Sequence, residues 1–403
     1  NLNRKNWMSK KVGVWLIGAY GGVATTAIVG LVALQRKLTE NHGLVSELPQ
    51  FQQANLIEWD NLVVGGHDIR KSTLATEANQ LLNDSRLLSP ALLELCQEDF
   101  ARINEEIRPG IIFNVGKTIT SLSDPEMTKT GASPRDLIES VKEDLKLFAS
   151  TNNLSKVIVM NVSSTEPTVD ASVLPAKWDD LDGMLDSNDC PLAASSLYAI
   201  AALQSGMPYL NFTPSLGTAP DALCELAEMN KVCHMGHDGK TGETLLKSAL
   251  APMFQHRNLN IMSWVGHNIF GNMDGKVLDD PENKKTKVVS KDKLLGQILG
   301  YDPQTHISIE YIKSLGDWKT AWDHIHFEGF LSTPMVMQFT WQGSDSILAA
   351  PLVLDLVRFT ELAHRRGETG LLKDLCCFFK SPLGVPENNF VKQFQLLEKW
   401  ATR

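Results

Sequence analysis

Positive charge is scarce in this sequence, and the shortage limits the partners that we expect. The 403 residues include 38 lysines and arginines against 47 aspartates and glutamates, which gives a formal net charge of −9. A protein that binds nucleic acid usually presents a broad basic face. The composition therefore predicts no nucleic-acid partner, although a local group of lysines could still bind a small anion.

Long hydrophobic runs are missing as well. A helix that crosses a membrane needs about 18 or more apolar residues in succession, and no run of that length is present. The apolar run Val12–Ile17 is too short for the core of a secretion signal, and Tyr20–Gly22 interrupt it. We therefore expect no membrane partner and a cytoplasmic location.

The cysteines show no spacing that marks a disulfide framework or a metal site. They are Cys96, Cys190, Cys224, Cys233, Cys376 and Cys377. This pattern predicts reduced thiols in a cytosolic protein. His234 and His237 form one histidine pair and His324 and His326 another, but a zinc site needs three or four converging ligands. We therefore predict no metal site from these side chains.

The composition is otherwise that of a globular protein, with 43% hydrophobic and 21% charged residues. A chain of this length is too long for one ordinary core, so we expect two structural units. Continuous apolar runs in the first 230 residues predict strands that are buried on both faces. These runs are Val12–Ile17, Leu62–Gly66, Gly110–Gly116, Lys156–Val162 and Pro208–Phe212.

Helical patterns alternate with these strands. Gly22–Leu38 has the pattern of a helix, and Ser133 followed by Pro134 predicts the start of another. Alternation of strand and helix is typical of a doubly wound α/β sheet with parallel strands.

The pattern changes after about residue 240. Strands with one exposed face are predicted at Leu259–Gly266, His306–Leu315 and Phe330–Trp341. A long helical pattern then returns at Ile347–Arg366, where the chain can re-enter the first domain. We expect one domain formed by residues 1–241 plus 346–403 and a second domain formed by residues 242–345.

A glycine-rich segment follows the first predicted strand and opens a helix. The residues predicted to bind a cofactor there are Gly18, Ala19, Tyr20, Gly21, Gly22 and Val23. In this context glycines permit a tight turn and let backbone N–H groups approach the pyrophosphate of a dinucleotide. Tyr20 and Val23 occupy the second and third glycine positions of the usual GxGxxG motif, so Gly21 and Gly22 would have to serve instead. The alternative is a glycine-rich turn without a ligand.

Asp68 follows the strand predicted at Leu62–Gly66 and fits the acid that binds the ribose in such folds. The alternative is an acid at the N-terminus of a helix. Arg70 leaves NADP open as a cofactor. An acid at the end of this strand repels a 2′-phosphate, however, so the sequence favours NAD.

Three further polar residues lie at the predicted carboxyl ends of strands, where ligands of open α/β sheets bind. Asn114 follows one strand, and Asn161 and Ser164 follow another. These side chains can either hydrogen-bond a cofactor or cap helices.

The segment from His267 to Lys293 concentrates lysines in an acidic protein. They are Lys276, Lys284, Lys285, Lys287, Lys291 and Lys293. Clustered lysines beside polar turn residues can hold a phosphorylated substrate and move its protons, or can simply form a solvated loop. Lys284 and Lys285 lie in the polar turn DDPENKK and fit the second interpretation.

Several ordered motifs together resemble the myo-inositol-1-phosphate synthase family, especially its compact archaeal and bacterial form. The motifs are LIGAYGGVATT, VVGGHDIR, NFTPS, GHDGKTGETLLKS, HNIFGNMDGK, KTKVVSKDK, GDWKTAWD, SDSILAAPLVLDL and FFKSPLG. The resemblance runs from about residue 11 to the end of the sequence. It implies a Rossmann-like, doubly wound parallel sheet with an inserted α+β catalytic and tetramerisation domain.

The resemblance also implies an activity. Family members use NAD to convert D-glucose 6-phosphate to 1L-myo-inositol 1-phosphate without net oxidation. The C5 hydroxyl is oxidised, loss of a C6 proton gives an enol, C6 attacks the C1 aldehyde, and C5 is reduced again. The resemblance further implies a homotetramer and allows a cation near the phosphate.

By the same resemblance, eight residues match the active-site motifs of the family. They are Asp238, Asn268, Asp274, Lys287, Lys291, Lys319, Asp345 and Lys380. We expect Lys319 to exchange a proton at the C5 oxygen, Lys287 to stabilise the enolate and the C1 oxygen, and Lys380 to act at C1 or the phosphate. Lys291 and Asn268 would orient the hydroxyls or the phosphate of the substrate, while Asp238 and Asp345 would hold lysines and the nicotinamide end of the cofactor.

Other interpretations stay open from the sequence. Lys319 could pair with Asp317 or Asp323 on one face of a helix, and Asp345 could cap the helix that starts near Ile347. The whole protein could instead be a conventional NAD(P) dehydrogenase of a sugar phosphate or polyol. It could also be an NAD-binding protein without activity, although the lysines named above are all retained.

Overall fold

A computed structural model describes residues 10–272 and 294–403. Eight strands form one sheet in which every neighbouring pair is parallel. In chain order they are β1 (Val12–Ile17), β2 (Leu62–Asp68), β3 (Ile107–Ile111), β4 (Thr128–Lys129), β5 (Lys156–Asn161), β6 (Tyr209–Asn211), β7 (Cys233–Gly236) and, after the second sheet, Gly370–Leu371.

The strand order of this sheet reverses beside β1. β2, β3 and β4 lie on one side of β1, whereas β5, β6, β7 and Gly370–Leu371 follow on the other side. In open α/β sheets such a reversal opens a crevice at the carboxyl ends of the strands, where ligands bind. The predicted doubly wound parallel sheet is confirmed.

Helices cover both faces of the sheet. They are α1 (Gly22–Gln35), α2 (Leu74–Ser85), α3 (Pro90–Leu95), α4 (Gln97–Asn104), α5 (Lys117–Ser121), α6 (Pro134–Thr151), α7 (Trp178–Met184), α8 (Ala194–Gln204) and α9 (Asp221–Met229). All six residues of β1 are buried, because successive side chains enter cores on opposite faces. Val14 and Leu16 belong to one core, and Trp15 and Ile17 to the other.

The second sheet is mixed and lies in the later part of the chain. Its strands are β8 (Asn260–Phe270), β9 (Gln304–Tyr311), β10 (Trp318–Glu328) and β11 (Pro334–Ser344), in the order β11-β10-β8-β9. β10 is antiparallel to both neighbours, whereas β8 and β9 are parallel. Helix α10 (Gly242–His256) and a short helix at 294–299, α11, cover one face through Phe254 and Leu295.

The chain then returns to the first sheet, as the sequence predicts. Helix α12 (Asp345–Arg365) packs in the same core as α1, and β12 (Gly370–Leu371) pairs with β7. Helix α13 (Phe390–Ala401) completes this side through Leu397 and Trp400.

Several predicted boundaries are wrong for local reasons. The strand predicted at Gly110–Gly116 ends at Ile111, because Asn114 and Gly116 both adopt positive φ angles in a loop. The strand predicted to start at Phe330 starts at Pro334, because Phe330–Ser332 form a 3-10 turn.

Lys319 lies in β10, so the interpretation that placed it on a helical face is wrong. Within the described ranges, no helix is both long enough and apolar enough to cross a membrane.

Candidate active site

A cavity of ≈ 690 Å³ lies at the carboxyl ends of the parallel strands, where the two sheets meet. It brings together most of the predicted site residues. Those that line it are Gly18, Tyr20, Gly21, Gly22, Val23, Asp68, Ser164, Asp238, Lys319, Asp345 and Lys380. Ala19, Asn114, Asn161 and Asn268 do not line it, and Asp274, Lys287 and Lys291 lie outside the described residues.

The glycine loop between β1 and α1 is bonded to the neighbouring strand β2. The N–H groups of Gly18 and Ala19 both donate to the carbonyl of His67, at 2.9 and 3.1 Å. Gly18 has φ +83°, and a Cβ there would lie 2.8 Å from the Ser163 Cα. This residue must therefore be glycine for the loop to keep its course.

Tyr20, which replaces the second glycine of the usual motif, turns its side chain into the protein. Its ring belongs to the core that contains α1, and its hydroxyl donates to Asn104 at 3.3 Å. Burial, followed by the charge of Asp68, raises the pKa of Tyr20 to about 12. The departure from GxGxxG therefore leaves the space next to the loop backbone open.

The start of α1 fits the pyrophosphate of NAD. Helix α1 has no acid in its first turn, and its N-cap Gly21 has no side chain that could cap the helix. The first N–H groups of a helix have no partner inside it and attract anions. The hydroxyl of Thr25 is buried, lies on the cavity and has no hydrogen-bond partner among residues 10–272 and 294–403. These donors are suited to phosphate oxygens.

Asp68 closes β2 and holds the glycine loop. Its carboxylate accepts the N–H of Tyr20 at 2.7 Å and that of Arg70 at 2.9 Å. Burial raises the pKa of Asp68, opposed mainly by the charge of Arg70. The interpretation of Asp68 as an acid at a helix N-terminus is wrong, since α2 starts only at Leu74 and its cap is Thr73. The ribose contact itself stays a prediction.

Arg70 is already paired inside the protein. Its guanidinium donates to the carbonyl of Tyr20 and lies 3.6 Å from Asp68 and 3.4 Å from Glu77. Two carboxylates therefore lie beside the arginine that could bind a 2′-phosphate at the end of β2. This charge balance favours NAD over NADP at the end of β2.

The amides of Asn114 and Asn161 are used within the protein. Asn114 Nδ2 donates to the carbonyls of Cys190 and Leu192, at 2.9 and 2.8 Å. Asn161 is buried, and its Nδ2 donates to Asn211 Oδ1 at 3.1 Å. Their predicted contacts with a cofactor stay predictions.

Lys319 enters the cavity from β10 and faces an aspartate. Its Nζ lies 3.7 Å from the Asp345 carboxylate and 5.1 Å from the centre of the Phe270 ring. Asp345 is the first residue of α12, whereas Ser344 is the cap and accepts the Ile347 N–H at 3.2 Å. The capping interpretation of Asp345 is therefore wrong, and its carboxylate faces the lysine instead.

Lys380 enters the same cavity from the last part of the chain. Its Nζ donates to Asp238 Oδ1 at 2.9 Å, and its backbone N–H donates to the Asp238 carbonyl at 2.6 Å. The loop that carries Asp238 is joined to Lys380 through the pairing of Gly239 with Phe379. The two lysines thus converge although they are far apart in sequence.

Asn268 is a buried residue of β8 in the second sheet. Its Nδ2 donates to Glu243 Oε2 at 2.6 Å, and the other oxygen of Glu243 lies 2.5 Å from Lys247 Nζ. A second cavity, small and next to the first, is lined by Glu243, Lys319 and Lys380. The predicted role of Asn268 toward substrate stays a prediction.

Sequence reasoning missed several polar residues of the cavity wall. Glu166 is buried, accepts the N–H and hydroxyl of Ser195 at 2.8 and 2.5 Å, and has a pKa raised to about 7 by burial. Asp317 is buried, and its carboxylate accepts hydrogen bonds from two serines. Ser344 donates its hydroxyl, and Ser346 donates its N–H at 2.9 Å and its hydroxyl at 2.8 Å. The only signal for Asp317 was its place two residues before Lys319.

Metal ligation finds no support in residues 10–272 and 294–403. They contain no group of three or more histidine, cysteine, aspartate or glutamate side chains arranged to hold a metal ion. His234 Nδ1 contacts the hydroxyl of Thr218 at 2.9 Å, and burial lowers the pKa of this histidine to about 4.

Comparisons with known proteins agree with this geometry. A family profile described as "Myo-inositol-1-phosphate synthase" matches residues 12–402. The chain is 31% identical to inositol-3-phosphate synthase 1 of Bacteroides thetaiotaomicron, over 96% of this chain and 94% of that protein. It is 27% identical to inositol-3-phosphate synthase 1-A of Xenopus laevis, over 85% of this chain but only 64% of that longer protein.

Solved structures give the same result. Inositol-3-phosphate synthase from Caenorhabditis elegans superposes with a TM-score of 0.87 at 25% identity, over 98% of this chain and 86% of that one. A myo-inositol-1-phosphate synthase-related protein from Thermotoga maritima shares the fold, with a TM-score of 0.75 at 24% identity over 97% and 98% of the two chains. This chain therefore belongs to the myo-inositol-1-phosphate synthase family.

Proposed function

We propose that this protein is an NAD-dependent inositol-3-phosphate synthase that converts D-glucose 6-phosphate to 1L-myo-inositol 1-phosphate. One observation carries the proposal: the glycine loop at the start of α1 shares a single cavity with Lys319 and Lys380. A simple dehydrogenase needs a nucleotide site and a proton acceptor. Cyclisation also needs fixed cations at the oxygens that become negative, and this cavity supplies them.

Bound NAD supplies hydride transfer in both directions, with oxidation of the C5 hydroxyl first and reduction at C5 last. The chain provides the surroundings for that exchange. The N-terminus of α1 and the Thr25 hydroxyl hold the pyrophosphate, and Asp68 keeps the glycine loop in place. Because Arg70 is already paired with Asp68 and Glu77, the site suits a ribose with a free 2′-hydroxyl better than one with a 2′-phosphate.

The lysines manage the protons and charges of the sugar. In this proposal Lys319, as the neutral amine, takes the C5 hydroxyl proton, and, as the ammonium that Asp345 orients, returns it when C5 is reduced. Lys380, oriented by Asp238, stabilises negative charge on the C1 oxygen or binds the phosphate. Lysine suits both tasks, because its ammonium is a compact charge and its neutral amine can accept a proton.

Further roles belong to Asn268 in β8 and to residues that follow this strand. Lys287 stabilises the enolate and the C1 oxygen, Lys291 and Asn268 orient the substrate, and Asp274 completes this group. A cation near the phosphate is a further part of the proposal.

The domain division, the assembly and the location complete the proposal. Residues 1–241 plus 346–403 form the NAD-binding domain, and residues 242–345 form the catalytic and oligomerisation domain. The confinement of β8 to β11 to the second range supports this division. We also propose a homotetramer and a cytoplasmic location; all six cysteines are free thiols, as is usual in reducing compartments.

The test is turnover with very little cofactor. Purified protein is given glucose 6-phosphate and less NAD than protein, and inositol phosphate and NADH are measured over time. We expect many product molecules per NAD and no net NADH. Accumulation of one NADH for each sugar phosphate consumed would show a conventional dehydrogenase and overturn the proposal.

A further inference from the structure

Helix α2 lies along the cavity, with the predicted ribose site at its first turn and the turn before Lys319 at its last residue. Glu77, Leu81 and Ser85 are spaced four residues apart, so they lie on one face of the helix, and all three line the cavity. Glu77, in the first turn, pairs with Arg70 beside the predicted ribose site. Ser85, the last residue, contacts the turn that leads into β10 and Lys319.

Ser85 contacts three consecutive residues of that turn. Its Oγ accepts the Asp317 N–H at 2.9 Å, and its carbonyl accepts the Trp318 indole N–H at 2.7 Å. A Cβ on Gly316 would lie 2.5 Å from the same Oγ, so the turn fits closely against the serine. We call Ser85 with residues 316–318 the Ser85 latch; the next residue is Lys319.

The Ser85 latch also holds Asp345, the partner of Lys319, in place. The Asp317 carboxylate accepts the N–H and the hydroxyl of Ser346 and thereby fixes the start of α12. Asp345 precedes Ser346 and lies 3.7 Å from Lys319 Nζ. Both members of the Lys319–Asp345 pair are therefore attached to the turn that Ser85 holds.

We propose that Ser85 is a positioning residue that aligns Lys319 with the nicotinamide end of the cavity. The proposal rests on the proposed function, in which Lys319 exchanges a proton with the C5 oxygen. Its physical basis is the steep distance dependence of such steps, since a displacement of about 1 Å can cost about 100-fold in rate.

The first test compares Ser85→Ala with a matched control. Ser89→Ala also removes a serine hydroxyl that accepts a backbone N–H, that of Leu92 at 3.1 Å, but at the start of α3 and away from the cavity. We expect Ser85→Ala to lower kcat about tenfold while KM for glucose 6-phosphate and Kd for NAD change less than about twofold. An unchanged kcat, or an equal loss in Ser89→Ala, would overturn the proposal.

A second measurement does not depend on turnover. The emission of Trp318 is obtained as the difference between each protein and the same protein carrying Trp318→Phe. We expect this emission to shift in Ser85→Ala and to stay unchanged in Ser89→Ala, because only the former loosens the turn. If the unmodified protein makes no inositol phosphate, the proposed function fails while this readout still tests the latch. An unshifted Trp318 emission in Ser85→Ala argues against it.

If Ser85→Ala fails to fold, Trp318→Phe takes its place as the kinetic variant. It removes one donor of the latch and keeps an aromatic ring. We expect a severalfold lower kcat with unchanged NAD affinity, and an unchanged kcat in this variant would overturn the proposal.

Discussion

Paired charges dominate the cavity at the scale of single residues. Lys380 lies 2.9 Å from Asp238, and Lys319 lies 3.7 Å from Asp345. An aspartate beside a lysine restricts the ammonium group to a few positions before any substrate binds. Such preorganisation is what electrostatic stabilisation of a developing oxyanion requires.

Removing the amine of Lys319 is expected to lower turnover without weakening NAD binding. Lys319→Ala should keep the affinity for NAD, because the glycine loop and Asp68 are untouched, and should lower turnover at least about 100-fold. Equilibrium NAD binding and inositol phosphate formation measure the two effects. Lys392→Ala, which removes a surface lysine paired with Glu387 at 3.3 Å, is the control. A near-normal rate in Lys319→Ala would contradict the role assigned to this lysine.

Glu166 links stability to pH. Burial raises its pKa to about 7, against the opposing hydrogen bonds from Ser195. A carboxyl whose pKa is raised by folding favours the folded state fully below the unfolded pKa and loses this contribution as pH rises through the folded value. Glu166 therefore stabilises the fold below about pH 4.5 and progressively less up to about pH 7.

Glu166→Gln should remove this dependence, because glutamine keeps the shape and carries no charge. We expect the melting temperature of the variant, relative to the unmodified protein, to be higher at about pH 8 than at about pH 5. Thermal unfolding at both pH values measures the difference. Glu139→Gln changes a surface carboxyl paired with Lys142 and should shift both values equally. Parallel pH curves for the Glu166 variant would be incompatible with a buried, titrating carboxyl.

At the scale of elements, helix α12 connects the cavity with the core beside α1 and with the segment between α1 and β2. Its first residue, Asp345, lies in the cavity, and its middle is buried against α1. Asp355, midway along it, accepts the N–H groups of Val45 and Ser46 at 2.7 and 2.8 Å. The Asp355 carboxylate is thus one of the contacts by which α12 holds the long connection between α1 and β2.

Asp355→Ala should destabilise the protein without touching the site. Two buried N–H groups would lose their acceptor, and we expect a loss of about 2–4 kcal/mol in the free energy of unfolding. Denaturant unfolding followed by fluorescence measures it. Asp60→Ala, at an exposed position of the same connection, is the control and should be nearly neutral. Equal stability of the two variants would mean that the Asp355 contacts contribute little.

Strands with continuous apolar sequences were predicted with accurate bounds, whereas one strand that mixes polar residues was missed. Val12–Ile17 is a strand with the predicted bounds, because every residue is buried and all except Gly13 carry apolar side chains. Trp318–Glu328 escaped prediction because Asp323 interrupts its apolar buried face, and Thr320, on the opposite face, is buried as well, which hides the alternation. Asp323 is tolerated there because it accepts the Trp264 indole N–H at 2.7 Å.

The site was predictable where its residues are neighbours in sequence. The glycine loop is contiguous, so its position before α1 follows from the pattern alone. The bond between Ser85 and Asp317 joins residues 232 positions apart. No local pattern encodes such a contact, since it depends on how the two sheets are placed against each other.

At the scale of the whole molecule, the second sheet has one face covered by α10, and its other face carries exposed apolar side chains. Trp322 and Val336 lie on this open face, and their exposed fractions are 45% and 52%. His267, paired with Trp322 across β8 and β10, is exposed beside them. An apolar sheet face of this kind suits contact with another copy of the chain, as the proposed homotetramer requires.

Trp322→Lys should therefore weaken the assembly. A charge at the centre of an interface is costly to bury, and we expect light scattering after size exclusion to show a smaller species than for the unmodified protein. Met229→Lys changes an exposed apolar residue of α9 (59% exposed) and should leave the mass unchanged. An unaltered mass for Trp322→Lys would exclude this face as the interface.

The late return of the chain to the first sheet has a consequence for synthesis on the ribosome. The core beside β1 is filled in part by α12, and the cavity takes Asp345 and Lys380 from the same late segment. Nascent chains that end before residue 345 thus carry a nucleotide loop over an incomplete core, with apolar strand surface exposed to water. Domains generally fold as units while they are being made, but this one must wait for the second sheet to be translated before its own core can close.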